Sequence, residues 1–335
     1  MNALVIETAF LGDAIISLSL AHAIKTAERD SRVTYLVRPG VNEVIAASPD
    51  VDSVLTFDKH GSESGTEGIR KKAAELNACG FDTLFLLHAS VRSQRLASLV
   101  ECNAKIGFEA MKHAGLTHTI IDANWQNRYE RAIVPLEAVF PTVEITLLPR
   151  LCPSPILQWD FFFSEFEIVI ALAPGSVWET KKWGNSKFLE LAKRLTQQGM
   201  GVVVIGGSED VEIGREVVAV CAEGTVLNLA GVVSFIAAMD AVRRSKLLVS
   251  NDSAPAHGAV AVGTKVLTMF GPTVPAFGFA PPLGCGEVME LLGLWCRPCT
   301  PHGGHTCPVH THECMERIEV GTVLSKVTEM LLEKA

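Results

Sequence analysis

The sequence predicts an α/β protein made of two doubly wound domains, and three observations predict it. Short apolar runs rich in Val, Ile and Leu alternate with longer helical runs along most of the chain, the pattern of β-α-β crossovers and parallel sheets. The alternation comes in two series, parted by a Pro-containing stretch from Leu147 to Pro155 and an aromatic run ending at Phe166. A length of 335 residues, 48% of them hydrophobic, exceeds what one typical domain needs for its core. The expected domains are therefore 1–155 and 156–335.

In the first series Ala3 to Glu7 reads as a strand, Ala14 to Ala27 as a helix, Val33 to Arg38 as a strand and Val41 to Ala47 as a helix. Ser53 to Phe57 is the next strand, and a long polar segment follows. Its start, Lys59 to Gly68, is rich in Gly, Ser and Glu and reads as a mobile loop. Thr83 to His88 and then Arg92 to Val100 continue the alternation. The second series opens with Ile168 to Ala173, followed by a helix over Phe188 to Gln197 and a strand over Gly201 to Ile205. Ile213 to Cys221, Thr225 to Leu229, Val233 to Arg243, Lys246 to Ser250 and Lys265 to Phe270 alternate again. Two such domains are expected to face each other across a cleft, with ligands beyond the carboxyl ends of the strands.

The charge pattern excludes several functions. A net charge of -8 argues against a nucleic-acid binder, which needs a basic face to neutralise phosphates. No apolar run is long enough to span a bilayer, and the opening Ala3-Leu4-Val5-Ile6 reads as a first strand and not as a signal peptide. Nine cysteines spread through a large chain without export features point to reduced thiols in the cytoplasm. Cys79, Cys102, Cys152 and Cys221 are expected as buried apolar fillers.

The turns at the strand ends carry the candidate chemistry. Asn251-Asp252-Ser253-Ala254-Pro255-Ala256-His257 runs from a strand into a small-residue helix, and such a turn either caps its helix or presents free amides and a helix dipole to an anion. Ala173-Pro174-Gly175-Ser176 ends another strand and is followed by Trp178, Lys181, Lys182 and Trp183, small residues and compact positive charge suited to a phosphate or simply to solvent. Gly206-Gly207-Ser208-Glu209-Asp210 comes after the next strand, with acids for ribose hydroxyls or for a helix cap, and Phe270-Gly271-Pro272-Thr273 is a fourth such turn. Together they read as a nucleotide-diphosphate site. In the first half Gly12-Asp13 follows the first strand. There Gly12 permits an open backbone, and Asp13 is either an N-cap or a carboxylate at the cleft. No Gly-x-Gly-x-x-Gly fingerprint is present.

These turns, with Lys181-Lys182-Trp183 and Asn228-Leu229-Ala230-Gly231, resemble family 9 glycosyltransferases, the ADP-heptose:lipopolysaccharide heptosyltransferases, over nearly the whole chain. Their spacing is more similar to heptosyltransferase II than to I. The resemblance implies a GT-B fold of two Rossmann-like domains, with the acceptor bound mainly in the first half, ADP-heptose in the second and no metal required for catalysis. It places Asp13 as general base and Ser176 with Lys182 at the diphosphate. Asp252, Ser253, Ala254 and His257 then surround the phosphates and donor sugar, and Glu209 or Glu212 reaches the ribose. Gly12, Lys181 and Gly271 complete the donor set. The chain departs from the family where Gly184 replaces a frequent Pro and Ala254 a frequent Gly, which leaves the donor sugar open.

Inverting transfer needs one carboxylate to take the acceptor proton, with positive charge and N–H donors for the departing diphosphate. Asp13 and Lys182 suit these roles. Arg92 and Arg95 are candidate contacts to acidic groups of a lipid A-core acceptor, as are Arg70-Lys71-Lys72, Lys105 and Lys112, though each also suits a solvated helix face. Such an acceptor implies peripheral contact with the cytoplasmic face of the inner membrane. Cys296, Cys299, Cys307 and Cys314, interleaved with His302, His305, His310 and His312, have the spacing of a structural zinc site or of a reduced or redox-active thiol cluster. The alternatives are a transferase of the same fold using another nucleotide sugar or glycan, and a non-catalytic nucleotide-sugar-binding protein.

Overall fold

The computed structural model describes residues 1–122, 127–144 and 146–333. Two compact units divide the chain at Cys152 and Pro153, three residues before the expected boundary. Each holds one six-stranded, all-parallel sheet.

The first unit runs β1 (Asn2–Ile6), α1 (Leu11–Ala27), β2 (Arg32–Val37), α2 (Asn42–Ala46), β3 (Ser53–Thr56), α3 (Gly65–Asn77), β4 (Thr83–Leu86), α4 (Val91–Leu99), β5 (Ala104–Phe108), β6 (His118–Ile120) and α5 (Arg128–Ile133). The sheet order is β3-β2-β1-β4-β5-β6, so the winding reverses between β1 and β4. β1 and β4 are buried on both faces, which is why each reads as an unbroken apolar run rather than an alternating one. α1 packs on α2 and α5, while α3 packs on α4. The polar segment after β3 contains α3, whose Ile69, Ala73 and Leu76 recur at helical spacing among charged residues. Ahead of it the expected loop is a pinned turn, because Asp58 accepts the backbone N–H groups of Gly61 and Ser62 at 2.9 and 2.8 Å.

The second unit runs α6 (Asp160–Glu165), β7 (Val169–Ala173), α7 (Asn185–Gln197), β8 (Gly201–Val204), α8 (Val211–Val220), β9 (Val226–Asn228), α9 (Phe235–Arg244), β10 (Leu247–Asn251), α10 (Ala254–Val262), β11 (Lys265–Phe270), β12 (Gly286–Glu290), α11 (Glu313–Glu316) and α12 (Val320–Leu332). Its order, β12-β11-β10-β7-β8-β9, repeats the winding of the first unit, with the reversal between β7 and β10. Leu247 to Ser250 lie beside Ile170 to Ala173. α7 packs on α8 and α12, and α9 on α10. Trp183, Phe188, Val202, Val249, Met269, Met315 and Val327 belong to one buried core.

The expected burial of four scattered cysteines is corrected. Cys79 and Cys152 are exposed and Cys102 and Cys221 only half-buried, since all four stand at or beyond the ends of elements and not on inward faces.

Candidate active site

In a doubly wound sheet the turns on either side of the reversal splay apart, and the crevice between them receives ligand. In the second unit those turns follow β7 and β10. Asn251, the last residue of β10, is fully buried and ties them together. Its Oδ1 accepts the Trp183 backbone N–H at 3.0 Å and its Nδ2 donates to the Pro174 carbonyl at 2.7 Å. Next to it Asp252 is buried, and its Oδ2 accepts from Lys181 Nζ at 2.6 Å and from the Thr273 hydroxyl at 2.7 Å. The Lys181 and Asp252 side chains are 12% and 5% exposed, so this is a desolvated pair.

Asp252 is therefore not a helix cap. Ser253 occupies the N-cap of α10 but makes no side-chain capping bond, its hydroxyl instead lying 3.3 Å from the Asn251 carbonyl. A helix start without a side-chain acceptor leaves its amides and the positive end of its dipole to an anion. A cavity of about 420 Å³ opens there, lined by Ser253, Ala254 and Pro255 from α10, by Gly175 and Ser176 after β7, and by Gly206 to Asp210 after β8. Ile205, Phe235 and Ala238 give it an apolar wall. Asp210 accepts the Gly207 N–H at 2.9 Å, and burial raises its pKa. A Cβ on Gly175 or Gly206 would fall 2.3 or 2.5 Å from the Asp210 carboxylate, so both must be glycine for the two turns to approach it.

Of the expected donor residues, Ser176, Glu209, Ser253 and Ala254 line this cavity, and Lys181 with Asp252 stands beside it. Five others do not line it, one of them Gly12, which belongs to α1 of the first unit. Glu212 points outward, 75% exposed and 3.7 Å from Arg215, because it lies on the solvent side of α8. Lys182 Nζ lies 2.5 Å from Glu179 and its side chain is 26% exposed. His257 is buried within α10, where burial lowers its pKa to about 4. Gly271 packs under Met315 and its carbonyl accepts from Arg297. Gly184, which stands where the resemblance led one to expect a frequent Pro, has φ of 114°, a conformation closed to proline.

Cys296, Cys299, Cys307 and Cys314 lie in the segment that precedes and enters α11. Cys299, Cys307 and Cys314 line one small cavity with Thr180 and His312, but among the described residues no group of three or more His, Cys, Asp or Glu side chains is arranged to hold a metal ion. The thiols have other partners. Cys299 Sγ donates to the Cys296 carbonyl at 3.1 Å, and Cys307 Sγ accepts the His312 N–H at 3.4 Å. Burial pushes Cys314 up to about 11, with nearby thiols adding to it. The segment braces the turn that carries Lys181. Thr180 bonds Gly304 in both directions, at 3.0 and 2.8 Å, and its carbonyl lies 2.7 Å from His312 Nε2.

In the first unit the turn after β1 leads into α1. Phe10 is the N-cap, without a side-chain bond, so Asp13 is not the cap but sits in the first helical turn, where the dipole favours a carboxylate. Gly12 lies inside that turn and needs no left-handed backbone. Glu7, fully buried beneath the turn, accepts the Ala9 N–H at 2.8 Å, and burial together with the charge of Asp13 raises its pKa to about 8. A second cavity, of about 530 Å³, adjoins this turn and is lined by Thr8 to Phe10, Arg38, Lys59, His60 and His88. The candidate acceptor residues Arg92 and Arg95 are exposed on α4 and do not line it, though Arg92 Nη1 lies 3.2 Å from His60 Nδ1. Sequence reasoning passed over Glu7, Arg38, Lys59 and His88. A lysine inside a Gly- and Ser-rich stretch carries no local sign that it folds inward.

The glycosyltransferase family 9 (heptosyltransferase) model matches residues 69–308, well over half of the chain. The chain belongs to glycosyltransferase family 9. It is 25% identical to lipopolysaccharide heptosyltransferase 2 of Salmonella typhimurium over 84% of this chain and 86% of that one. It is 24% identical to lipooligosaccharide heptosyltransferase 2 of Haemophilus influenzae over 99% of each. Among solved structures, that of Escherichia coli ADP-heptose lipopolysaccharide heptosyltransferase II aligns with a TM-score of 0.79 at 23% identity over 99% of both chains. A family 9 glycosyltransferase from Veillonella parvula aligns with a TM-score of 0.85 at 22% identity, covering 99% and 98%. These two likenesses show the fold, two parallel sheets with interleaved helices as in GT-B enzymes.

Proposed function

We propose that this family 9 transferase moves heptose from ADP-heptose to the inner core of lipopolysaccharide, with inversion at the anomeric carbon. The cavity at the start of α10 carries this reading, because it combines uncapped amides, an acid at the opposite rim and an apolar wall. Those features suit a diphosphate, ribose hydroxyls and a base in turn. The heptosyltransferase 2 relatives, matched over most of their length, supply the sugar and the acceptor class.

In this mechanism Asp13 takes the acceptor hydroxyl proton as the anomeric carbon becomes oxocarbenium-like. The α10 amides and Lys182 stabilise the charge that develops on departing ADP. Lys182 can be recruited at little cost, since its present partner Glu179 is 55% exposed and such ion pairs contribute about 0–1 kcal/mol. Catalysis needs no metal. Among the described residues no helix is long and apolar enough to cross a membrane. This reading has the enzyme meet its membrane-bound acceptor by peripheral contact. Purified enzyme offered a panel of nucleotide sugars and lipid A-core acceptors, with products read by mass spectrometry, tests it. Heptose added to the inner core with release of ADP is the expected result. Transfer of a different sugar, or none with tight ADP-heptose binding, would replace the reading.

A further inference from the structure

Glu7 is a buried acid that the proposed chemistry does not use. It follows β1 directly and is 5% exposed, and its backbone N–H donates to the Leu36 carbonyl at 3.1 Å, so the sheet fixes where its side chain begins. Its Oε1 then accepts the Ala9 N–H at 2.8 Å, inside the turn that joins β1 to α1. That bond does the work of a helix cap. Phe10 holds the N-cap position of α1 without a side-chain bond, and the first bond of the helix runs from the Ala14 N–H to the Phe10 carbonyl at 3.1 Å. On the other side of the turn the Thr8 hydroxyl lies 2.8 Å from Ser93 Oγ and accepts from Lys59 Nζ at 3.0 Å. The start of α1, with Asp13 in its first turn, is thus held by two tethers, and Glu7 is the one rooted in β1.

An acid is an expensive choice for this tether. Burial and the charge of Asp13 raise its pKa to about 8, whereas an amide at the same place would hold the Ala9 N–H without that penalty. The groups that face it are Asp13 on α1, Lys59 after β3, Arg131 on α5 and Tyr35 on β2. The two cations lower the pKa, but each is engaged elsewhere and neither forms an ion pair with Glu7 among the described residues. Lys59 turns to Thr8 and His88, and Arg131 is held by Asp122 through two bonds of 2.8 Å while stacking over Phe108. The Tyr35 hydroxyl donates to the Ser17 carbonyl at 2.7 Å. An acid kept buried without a counterion, next to a candidate base, is the kind of group that gathers at reaction sites. We propose that Glu7 is a positioning residue for the base: its carboxyl, clamped on the Ala9 amide beneath the turn, sets where the first turn of α1 presents the Asp13 carboxylate and responds to the charge which that carboxylate carries. The inference rests on the reading of Asp13 as general base and extends it to a residue that does not touch substrate.

Steady-state kinetics on the full-length enzyme, with ADP-heptose and a lipid A-core acceptor, test it through a double-mutant cycle. Glu7→Leu fills similar space but offers no acceptor to the Ala9 N–H. It is expected to lower kcat by about 10- to 100-fold, the cost of moving a catalytic group by about 1 Å, with both KM values within about threefold. Glu7→Gln keeps an oxygen for that N–H and should recover most of the loss. In the Asp13→Ala background Glu7→Leu should cost nothing further, because a positioning residue acts only through the group it positions. Wild-type kcat in folded Glu7→Leu, or the full loss repeated on top of Asp13→Ala, overturns the proposal and leaves Glu7 a residue of the fold alone. A second measurement needs no turnover. In protein isotope-labelled at the aspartate carboxyls, the Asp13 resonance, assigned with Asp13→Asn, should shift at its own ionisation and again near pH 8 as Glu7 loses its proton. In Glu7→Gln the second step should be gone. This titration decides the matter if Glu7→Leu fails to fold, or if the wild type transfers to no acceptor, which would sink the transferase reading separately. A wild-type Asp13 resonance with no step near pH 8 overturns the proposal.

Discussion

The two units wind their sheets in the same order and place a cavity at the same reversal, yet they treat charge in opposite ways. In the second unit the lysine beside the cavity has its counterion built in, Asp252, and the attraction for an anion comes from the uncapped start of α10. In the first, Lys59 forms no ion pair with a carboxylate among the described residues, burial raises the pKa of Glu7 to about 8, and Asp13 rides on the first turn of α1. The difference teaches that the sheet fixes where a ligand sits and the turn chemistry fixes what it does there. In the proposed mechanism the second unit meets a diphosphate with backbone dipoles, and the first unit meets a hydroxyl with the carboxylate of Asp13.

The hardest test of this contrast is Asp13→Ala. Turnover should fall by about 100- to 10,000-fold, the usual cost of losing a general base, while ADP affinity stays within a few fold. A turnover assay paired with calorimetry on ADP checks it. A variant that keeps near wild-type rate would remove Asp13 from the mechanism and with it the division of labour between the units.

Glu7 gives the next largest effect. Its pKa is raised from 4.5 to about 8, so the folded protein holds a proton that the unfolded chain gives up. Stability is therefore fully present below about pH 4.5 and falls as pH rises toward 8, at up to about 1.4 kcal/mol per pH unit. Glu7→Gln keeps an oxygen for the Ala9 N–H and cannot ionise. Its melting temperature should rise relative to wild type across that window and meet it near pH 4. Parallel melting curves for the two proteins would mean that Glu7 is ionised throughout and balances Lys59 after all.

Much of this architecture was legible in the sequence, for reasons that also explain the misses. Central strands such as β1, β7 and β10 are buried on both faces and announce themselves as apolar runs ended by Gly, Pro, Asp or Ser. Edge strands do not. β6 has three residues, and β12 alternates polar and apolar beside a Gly whose Cβ would strike the Val266 carbonyl. In the donor cavity Ser176, Glu209 and Ser253 could be named because they belong to strand-end turns, where local residue type and position coincide. The pairing of Lys181 with Asp252 spans 71 residues, and the burial of Lys59 depends on Thr8 and His88, 51 and 29 residues away. No local pattern encodes such distances. A ligand-like interval of cysteines along the chain likewise does not set where the sulfurs point. Here they serve a segment that braces Thr180.

Two adjacent lysines sharpen the comparison at smaller cost. Lys182→Ala should weaken ADP binding by roughly 1.5–3 kcal/mol and slow transfer, since its contact to the leaving group strengthens as charge develops. Lys181→Ala should mainly lower the melting temperature, by leaving Asp252 buried with only Thr273. Calorimetry and thermal melts on both variants separate these outcomes. If the ADP defect follows Lys181 instead, the diphosphate displaces Asp252, and the second unit also relies on an unpaired cation at the moment of binding.

The smallest expected effect is a null one. If α10 amides and lysine neutralise the diphosphate, EDTA should leave turnover unchanged, because no divalent ion is needed where N–H donors already face the oxygens. The chain does contain an Asp-x-Asp sequence, Asp50-Val51-Asp52, of the kind that can hold a metal against a nucleotide sugar. Both carboxylates are engaged elsewhere. Asp50 pairs with Arg150, and Asp52 accepts from Lys25 at 2.8 Å and from the Val33 N–H at 2.7 Å. Turnover and melting temperature measured before and after chelation decide the matter. Loss of turnover at constant melting temperature, restored by magnesium or manganese, would show that the second unit neutralises its anion with a metal, and the backbone-dipole account of that site would fall.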